Sequence, residues 1–176
     1  MTMKHHAALI LIALLALPFQ ATAQKKLVEN RSQATGWYVP VKFKVTAQGA
    51  RAKGLGVKVY KDNQLLHDII GAKDKFTLNL DLENGYTVIL SKEGYRSKSV
   101  HINTHVPEQV VQYPAYECTM NLEPADHFTH SDPFYMDFPS AIVRWNDASQ
   151  GFMPQQDYLR DIQAKMAMLQ VQMDPH

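Results

Sequence analysis

The chain has 176 residues, 45% of them apolar, with 18 Lys+Arg set against 17 Asp+Glu. That near-neutral balance speaks against a general nucleic-acid or anionic-membrane binder, because both need a net basic surface. A single cysteine, Cys118, leaves no internal disulfide, so packing has to supply the stability.

The first residues have the three parts of a secretory signal. Lys4, with His5 and His6 beside it, makes a short positive head, and Ala7 to Leu17 is an unbroken apolar run. The run is too short for an uncleaved anchor, which needs roughly 20 apolar residues to cross a bilayer. Pro18 breaks any helix there, and Ala21-Thr22-Ala23 offers small residues at the positions a signal peptidase reads. We therefore expect a signal peptide over residues 1–23, cut before Gln24, and an exported mature chain. The residue directly after the site is Gln24 and not a Cys, which argues against a bacterial lipoprotein anchor, and no later segment reads as a transmembrane span. Cleavage would remove Lys4 alone and leave 17 basic against 17 acidic residues.

Residues 24–37 are polar and aperiodic and read as a flexible leader. From Tyr38 the period becomes two: Val39, Val41, Phe43 and Val45 alternate with polar neighbours, the mark of a half-buried strand. Gly49 to Gly56 reads as a loop. Val57 to Tyr60 is a second strand, ended by the turn residues Asp62-Asn63. Leu65 to Ile70 can return as a short third strand, closed by Gly71 and Asp74.

Phe76 to Leu82 alternates most cleanly, with large apolar residues on one face and Thr77, Asn79 and Asp81 on the other. Glu83-Asn84-Gly85 then reads as a hairpin, since Asn-Gly takes the positive φ angles that tight hairpin turns require. Tyr86 to Ser91 would be the partner strand. Lys92 to Tyr95 turns the chain, Ser97 to Asn103 makes another strand, Pro107 interrupts, and Tyr113 to Glu123 completes the set. Within that last strand the alternation puts Cys118 on the apolar face, as a buried small hydrophobe rather than a nucleophile.

About seven short strands over residues 38–123, with no long helical pattern among them, predict an all-β antiparallel sandwich. Residues 124–176 read as a C-terminal extension. Pro124 to Pro133 is a loop, Ala141 to Trp145 one further strand, and Asn146 to Gly151 a turn. From Pro154 the spacing turns helical. Leu159, Ile162, Met166, Leu169 and Met173 form one apolar stripe of an amphipathic helix, with Pro154 suited to its first position and Asp157 to its positive end.

Residues 41–104 resemble the carboxypeptidase regulatory-like, or transthyretin-like (prealbumin-like), domains of bacterial envelope proteins. The carriers are Val57-Lys58-Val59-Tyr60, Gly71 to Leu78, and above all Tyr86 to Tyr95, a strand ending in a Lys-x-Gly-Tyr turn. The family's Asp-x-x-Gly-x-Phe turn is altered here, with Asp74 near Phe76 and the glycine displaced to Gly71. The resemblance implies a prealbumin-like sandwich that serves as a rigid module for spacing or contact, without catalysis. The run through Ile102-Asn103-Thr104 is similar to envelope proteins of bacteria that use type IX secretion and gliding. The related hydroxyisourate hydrolases end in Tyr-Arg-Gly-Ser, whereas this chain ends Met173-Asp174-Pro175-His176, so no catalytic residue carries over.

The residues yield little chemistry. His101 and His105 fall in a strand and its exit, roughly 13 Å apart along extended chain, and His127 and His130 lie in a loop near Asp126 and Asp132. We read them as exposed histidines rather than zinc ligands, and expect no metal and no cofactor. Ser91, Ser97, Ser99 and Ser140 lack elbow-type glycine flanks, so no nucleophilic triad is visible. The aromatic segment Phe134-Tyr135-Met136-Asp137-Phe138-Pro139, with Trp145 and Phe152, carries more weight, because aromatic and methionine side chains concentrate at interfaces. Either this part covers an open face of its own sandwich, or it meets a partner through Phe134, Tyr135, Phe138, Trp145 and Phe152, with Met168 and Val171 as the helix's second face.

These readings predict a non-catalytic structural or interaction protein in the periplasm, or at the outer-membrane periphery, of a Gram-negative bacterium. Its partner would be an envelope protein or outer-membrane assembly. The alternative is a carbohydrate- or small-ligand-binding module with Trp37, Trp145 and Tyr135 as stacking platforms; a hydrolase comes last.

Overall fold

A computed structural model describes residues 37–128 and 137–173. They form ten strands and one helix: β1 (Tyr38–Ala47), β2 (Ala50–Arg51), β3 (Leu55–Lys61), β4 (Gln64–Ala72), β5 (Lys75–Asp81), β6 (Gly85–Ser91), β7 (Lys98–Asn103), β8 (Tyr116–Leu122), β9 (Ala141–Asn146), β10 (Gly151–Pro154) and α1 (Gln156–Met173). Two sheets make a β-sandwich, as the alternation predicted. The smaller has β1 at its centre, paired with β5, β8 and the short β2; the larger has six strands in the order β10-β9-β7-β6-β3-β4.

The core lies where the apolar faces meet. Val39, Val41, Phe43 and Val45 from β1 are buried together with Val57, Val59, Val88, Leu90, Val100 and Ile102 from the larger sheet. Phe43 stacks on Phe76 of the neighbouring strand with ring centroids 4.9 Å apart, a cross-strand aromatic pair that fixes the β1–β5 register.

Four expectations are corrected. The sheets are mixed rather than antiparallel: β8 runs parallel to β1, and β9 runs parallel to β7. Alternation reports that one face is buried, not which way the neighbouring strand runs. Each of these parallel partners arrives through a connection between the sheets, which frees it to lie in either direction. The 49–56 loop contains the short β2 and the start of β3, which makes eight strands up to Leu122 among the described residues.

The third correction concerns Glu83-Asn84-Gly85. The turn is not a hairpin: β5 belongs to the smaller sheet and β6 to the larger, so the chain crosses the sandwich here. The positive φ falls on Glu83, at 62°, and not on Asn84 or Gly85. Thr104, fully buried, ties the crossing together. Its hydroxyl accepts from the Asn84 N–H at 3.0 Å and lies 2.7 Å from the Asp81 carbonyl, while its own N–H donates to the Asn84 carbonyl at 3.0 Å. By contrast Asp62 and Asn63, at φ 47° and 66°, make the tight hairpin turn between β3 and β4.

The fourth concerns the C-terminal part. Asn146 to Gly151 does read as a turn, but it joins β9 to an additional strand, β10. Pro154 closes that strand instead of opening the helix, which begins two residues later at Gln156. β9 and β10 are strands of the larger sheet, and their Val143 and Phe152 are core residues.

Candidate functional site

Phe134 and Tyr135, and the side chain of Val171, lie outside the described residues. The other residues predicted to meet a partner divide by depth. Phe152, 4% exposed, is packed edge-on against Trp145 at 5.6 Å and Tyr113 at 6.3 Å, inside the protein rather than on its surface. Trp145 is half-buried, and its indole N–H donates to the Asp147 carboxylate at 2.8 Å. Trp37 packs against the core and is half-buried too. Phe138 is half-buried with the Lys165 ammonium 5.0 Å from its ring centre.

Met168 is 69% exposed. Of the stripe predicted on the helix, Leu159, Ile162 and Met166 are half-buried against the sandwich, and the side chains of Leu169 and Met173 lie outside the described residues. The Tyr158 hydroxyl donates to the Pro139 carbonyl at 2.6 Å, and an Arg96 guanidinium nitrogen lies 3.7 Å from the Met166 sulfur. Much of the predicted surface therefore turns inward.

A shallow cleft of about 270 Å³ runs along the outside of β9, β10 and the start of α1, between Trp145, Arg144, Gln155 and Asp157. The polar groups around it are largely engaged with one another. Arg144 faces the Gln155 side-chain amide at 2.6–3.0 Å, the arrangement in which the amide turns its oxygen to the guanidinium, and Arg160 pairs with Asp157.

The Lys-x-Gly-Tyr turn that carries the family resemblance has a structural role. Gly94 takes φ 76°, the Tyr95 N–H donates to the Lys92 carbonyl at 3.0 Å, and the Lys92 ammonium sits 5.7 Å from the Tyr95 ring centre while donating to the Lys53 carbonyl at 3.0 Å. Just beyond it, the Glu123 carboxylate takes Lys98 at 3.2 Å and Arg96 at 4.0 Å. Burial draws the Arg96 guanidinium below its ordinary value, and Glu123 opposes that shift.

Cys118 is buried, as the alternation predicted, at the floor of a cleft of about 290 Å³ between β8 and the β7–β9 pair, under Leu159 of α1. Burial pushes its thiol up to about 12. At pH 8 such a group is thiolate only to about one part in ten thousand, and the thiolate is the reactive form. The folded protein should therefore leave a chromogenic disulfide reagent unreduced at pH 8, and the urea-unfolded protein should reduce it within seconds. Prompt reaction of the native thiol would show that the cleft opens.

The histidines are dispersed. His101 lies on β7 with its ring nitrogen 3.3 Å from the Thr87 hydroxyl, His105 pairs with Glu83, and His127 sits in a single 3-10 turn over Ala125–Phe128; His130 lies outside the described residues. Among the described residues no cluster of three His, Cys, Asp or Glu side chains is placed to hold a metal, and no helix is long and apolar enough to cross a membrane.

The most exposed apolar surface was not among the predicted sites. β4 is a nine-residue strand at the end of the larger sheet. Ile70, Leu65, Leu66 and Ile69 on it are 90%, 53%, 47% and 38% exposed. Its neighbour β3 buries Val57 and Val59, yet Ile69 and His67, which oppose them in register, are open. Burial stops at β3, whose Lys61 reaches Asp81 of β5 at 3.3 Å, and β4 beyond it is exposed along nearly its whole length. A sequence signal existed: the doublets Leu65-Leu66 and Ile69-Ile70 put aliphatic side chains on both faces of one strand, which one-sided burial cannot accommodate.

No protein-family model matches the chain, and no curated protein matches it. Among solved structures, a 3-chlorocatechol 1,2-dioxygenase from Rhodococcus opacus 1CP aligns at 12% identity and TM-score 0.36, over 52% of this chain and 62% of its own. The structure titled S.CueP aligns at 13% identity and TM-score 0.35, over 51% and 65% respectively. The chain thus spans less than two thirds of either of these structures, and likenesses this distant assign it neither a family nor an activity.

Proposed function

We propose that the chain is an exported, non-catalytic interaction protein of the bacterial envelope, built on a carboxypeptidase regulatory-like sandwich, and that it meets its partner along β4. The observation that carries this reading is the exposed aliphatic edge itself. Natural sheets blunt their edges with lysine, proline, bulges or a covering segment. Among the described residues β4 has no cover, and its sequence holds neither lysine nor proline; its two bulges are the device of this kind that it carries. Contiguous exposed apolar surface of this kind marks interaction sites in folded proteins. The signal-like first 23 residues support export, and the motifs of residues 41–104 support an envelope setting, with secretion or gliding machinery as the extension of that resemblance.

The test is site-specific photo-crosslinking in the native envelope, with the reactive residue at position 70 on β4 or at position 168 on α1. We expect one recurring envelope component from position 70 and sparse, variable products from position 168. Monomer alone from position 70, at full incorporation, would overturn the reading. A recurring product from position 168 only would move the contact to the helix.

A further inference from the structure

We infer that β4 is the acceptor for an added strand: an extended segment of the partner protein, aliphatic on both faces, lies antiparallel along it and becomes the seventh strand of the larger sheet. This rests on the interaction reading above and specifies how the contact is made. Three features of β4 select this occupant over a flat protein surface or a second copy of the chain.

The first is exposure on both faces. β4 pairs on one side with β3 and on the other, among the described residues, with nothing. Leu65 and Ile70 oppose Tyr60 and Gly56, on the outer side with Lys58, whereas Ile69 opposes the inward Val57. A globular surface could cover one of these faces. A strand laid along the free edge covers part of both, because its own side chains alternate above and below the sheet, and it satisfies the outward backbone groups as well.

The second is the shape of the edge. The register with β3 skips Leu66, between the Val59–His67 and Tyr60–Leu65 pairs, and skips Gly71, between Gly56–Ile70 and Leu55–Ala72. Gly71 takes φ 78°, as such a bulge requires. Both extra residues belong to β4, and they bend it on either side of the regular run from His67 to Ile70. Bulges twist an edge away from a straight partner strand, so a strand that adds here has to follow the bend. A flexible segment can do so.

The third is the placement of charge. Within the regular run from His67 to Ile70, two-fold antiparallel pairing of β4 with itself centres on a single residue, because the axis preserves which face each side chain occupies. Centred on Asp68, it sets two carboxylates against each other; centred on His67 or Ile69, it sets Asp68 against Leu66 or Ile70 of the second copy. Like charges directly opposite are destabilising, and a carboxylate gains nothing from an aliphatic neighbour. A segment of another protein is free of this symmetry. It can place a lysine, arginine or hydroxyl residue opposite Asp68, which already carries Lys58 at 3.9 Å on its other side, with valine or isoleucine to either side.

The probe is a fluorescein-labelled peptide, Thr-Val-Ile-Lys-Val-Ile-Thr, titrated into the full-length mature protein while backbone deuterium uptake is followed. Saturable binding is expected, with exchange slowed in residues 64–72 and unchanged in α1. The Leu65→Lys/Ile70→Lys double variant, whose side chains are in water, should stay folded by circular dichroism and bind at least tenfold more weakly. Met168→Lys should bind as the parent does, and a peptide with proline at its centre should bind as poorly as the double variant meets the original, since proline removes a ladder donor.

Slowed exchange elsewhere, or equal binding by the double variant, would overturn the inference. So would a dimer by sedimentation that Ile70→Lys converts to monomer, because β4 would then be occupied by a second copy. If crosslinking from position 70 still captures one envelope component while no peptide slows β4, strand addition falls and the interaction reading stands. If both experiments are blank, both fall.

Discussion

Ending the chain at Glu123 is expected to yield a molten product in place of a folded sandwich. β9 pairs in parallel with β7 through Val100–Ala141, His101–Ile142 and Ile102–Val143, and β10 pairs with β9. Removing them strips Val143 and Phe152 from the core and leaves β7 as a second open edge. Burial of a valine and a phenylalanine is worth about 1.5–3 kcal/mol each, and Trp145 and the helix stripe add more. The loss is on the order of 5 kcal/mol, as large as the lower end of a domain's whole stability.

The measurement is near-ultraviolet circular dichroism with dye binding on residues 24–123, beside the full mature chain. Retained far-ultraviolet signal, lost near-ultraviolet signal and strong dye uptake define the molten product. A sharp cooperative melt with native near-ultraviolet signal would instead make the last fifty or so residues a dispensable appendage. It would also return them to contention as a partner-binding arm.

The strands were legible because alternation is a local property. β1 and β6 bury every second residue, and β5 and β8 do so after a half-buried Phe76 and Tyr116; the period shows it without knowledge of neighbours. Which strand lies beside which is not local. Glu83-Asn84-Gly85 has hairpin chemistry in sequence, yet a buried threonine twenty residues downstream decides that the chain crosses between sheets. The same distance effect hid the parallel pairings of β8 and β9.

Of the candidate surface, the helix stripe and the burial of Cys118 were legible, whereas the direction faced by the aromatics was not. Trp145 and Phe152 carry the composition of an interface and the position of a core, and only β9's place beside β7 separates the two. β4 escaped notice for the opposite reason. It was recognised as a strand, but strand recognition looks for one apolar face, and Leu65, Leu66, Ile69 and Ile70 supply two. Edge position, bulges and the end of burial at β3 are all properties of the assembled fold.

Thr104→Val should cost about 2 kcal/mol of stability, a large effect for the loss of one oxygen atom. The substitution keeps the β-branched shape and the apolar bulk, so it creates no cavity. It removes the acceptor facing the Asn84 N–H at 3.0 Å and the donor facing the Asp81 carbonyl at 2.7 Å. A polar group left without a partner away from water costs about 1–3 kcal/mol, and Thr104 itself is wholly screened from solvent. The backbone bonds from Glu83 to Thr104 and from Thr104 to Asn84 survive the change, so the crossing should loosen without rearranging. In urea the midpoint should fall while the dependence on denaturant stays constant, since the surface exposed on unfolding is the same. Thr104→Ser keeps the hydroxyl and gives up one methyl, so it should lie between the two. A valine variant within about 0.5 kcal/mol of the parent, the range of neutral surface changes, would mean that the hydroxyl does not hold the two sheets in register. The crossing would then be fixed by its backbone bonds and by the buried side chains of Leu82 and Tyr86 on either side of it.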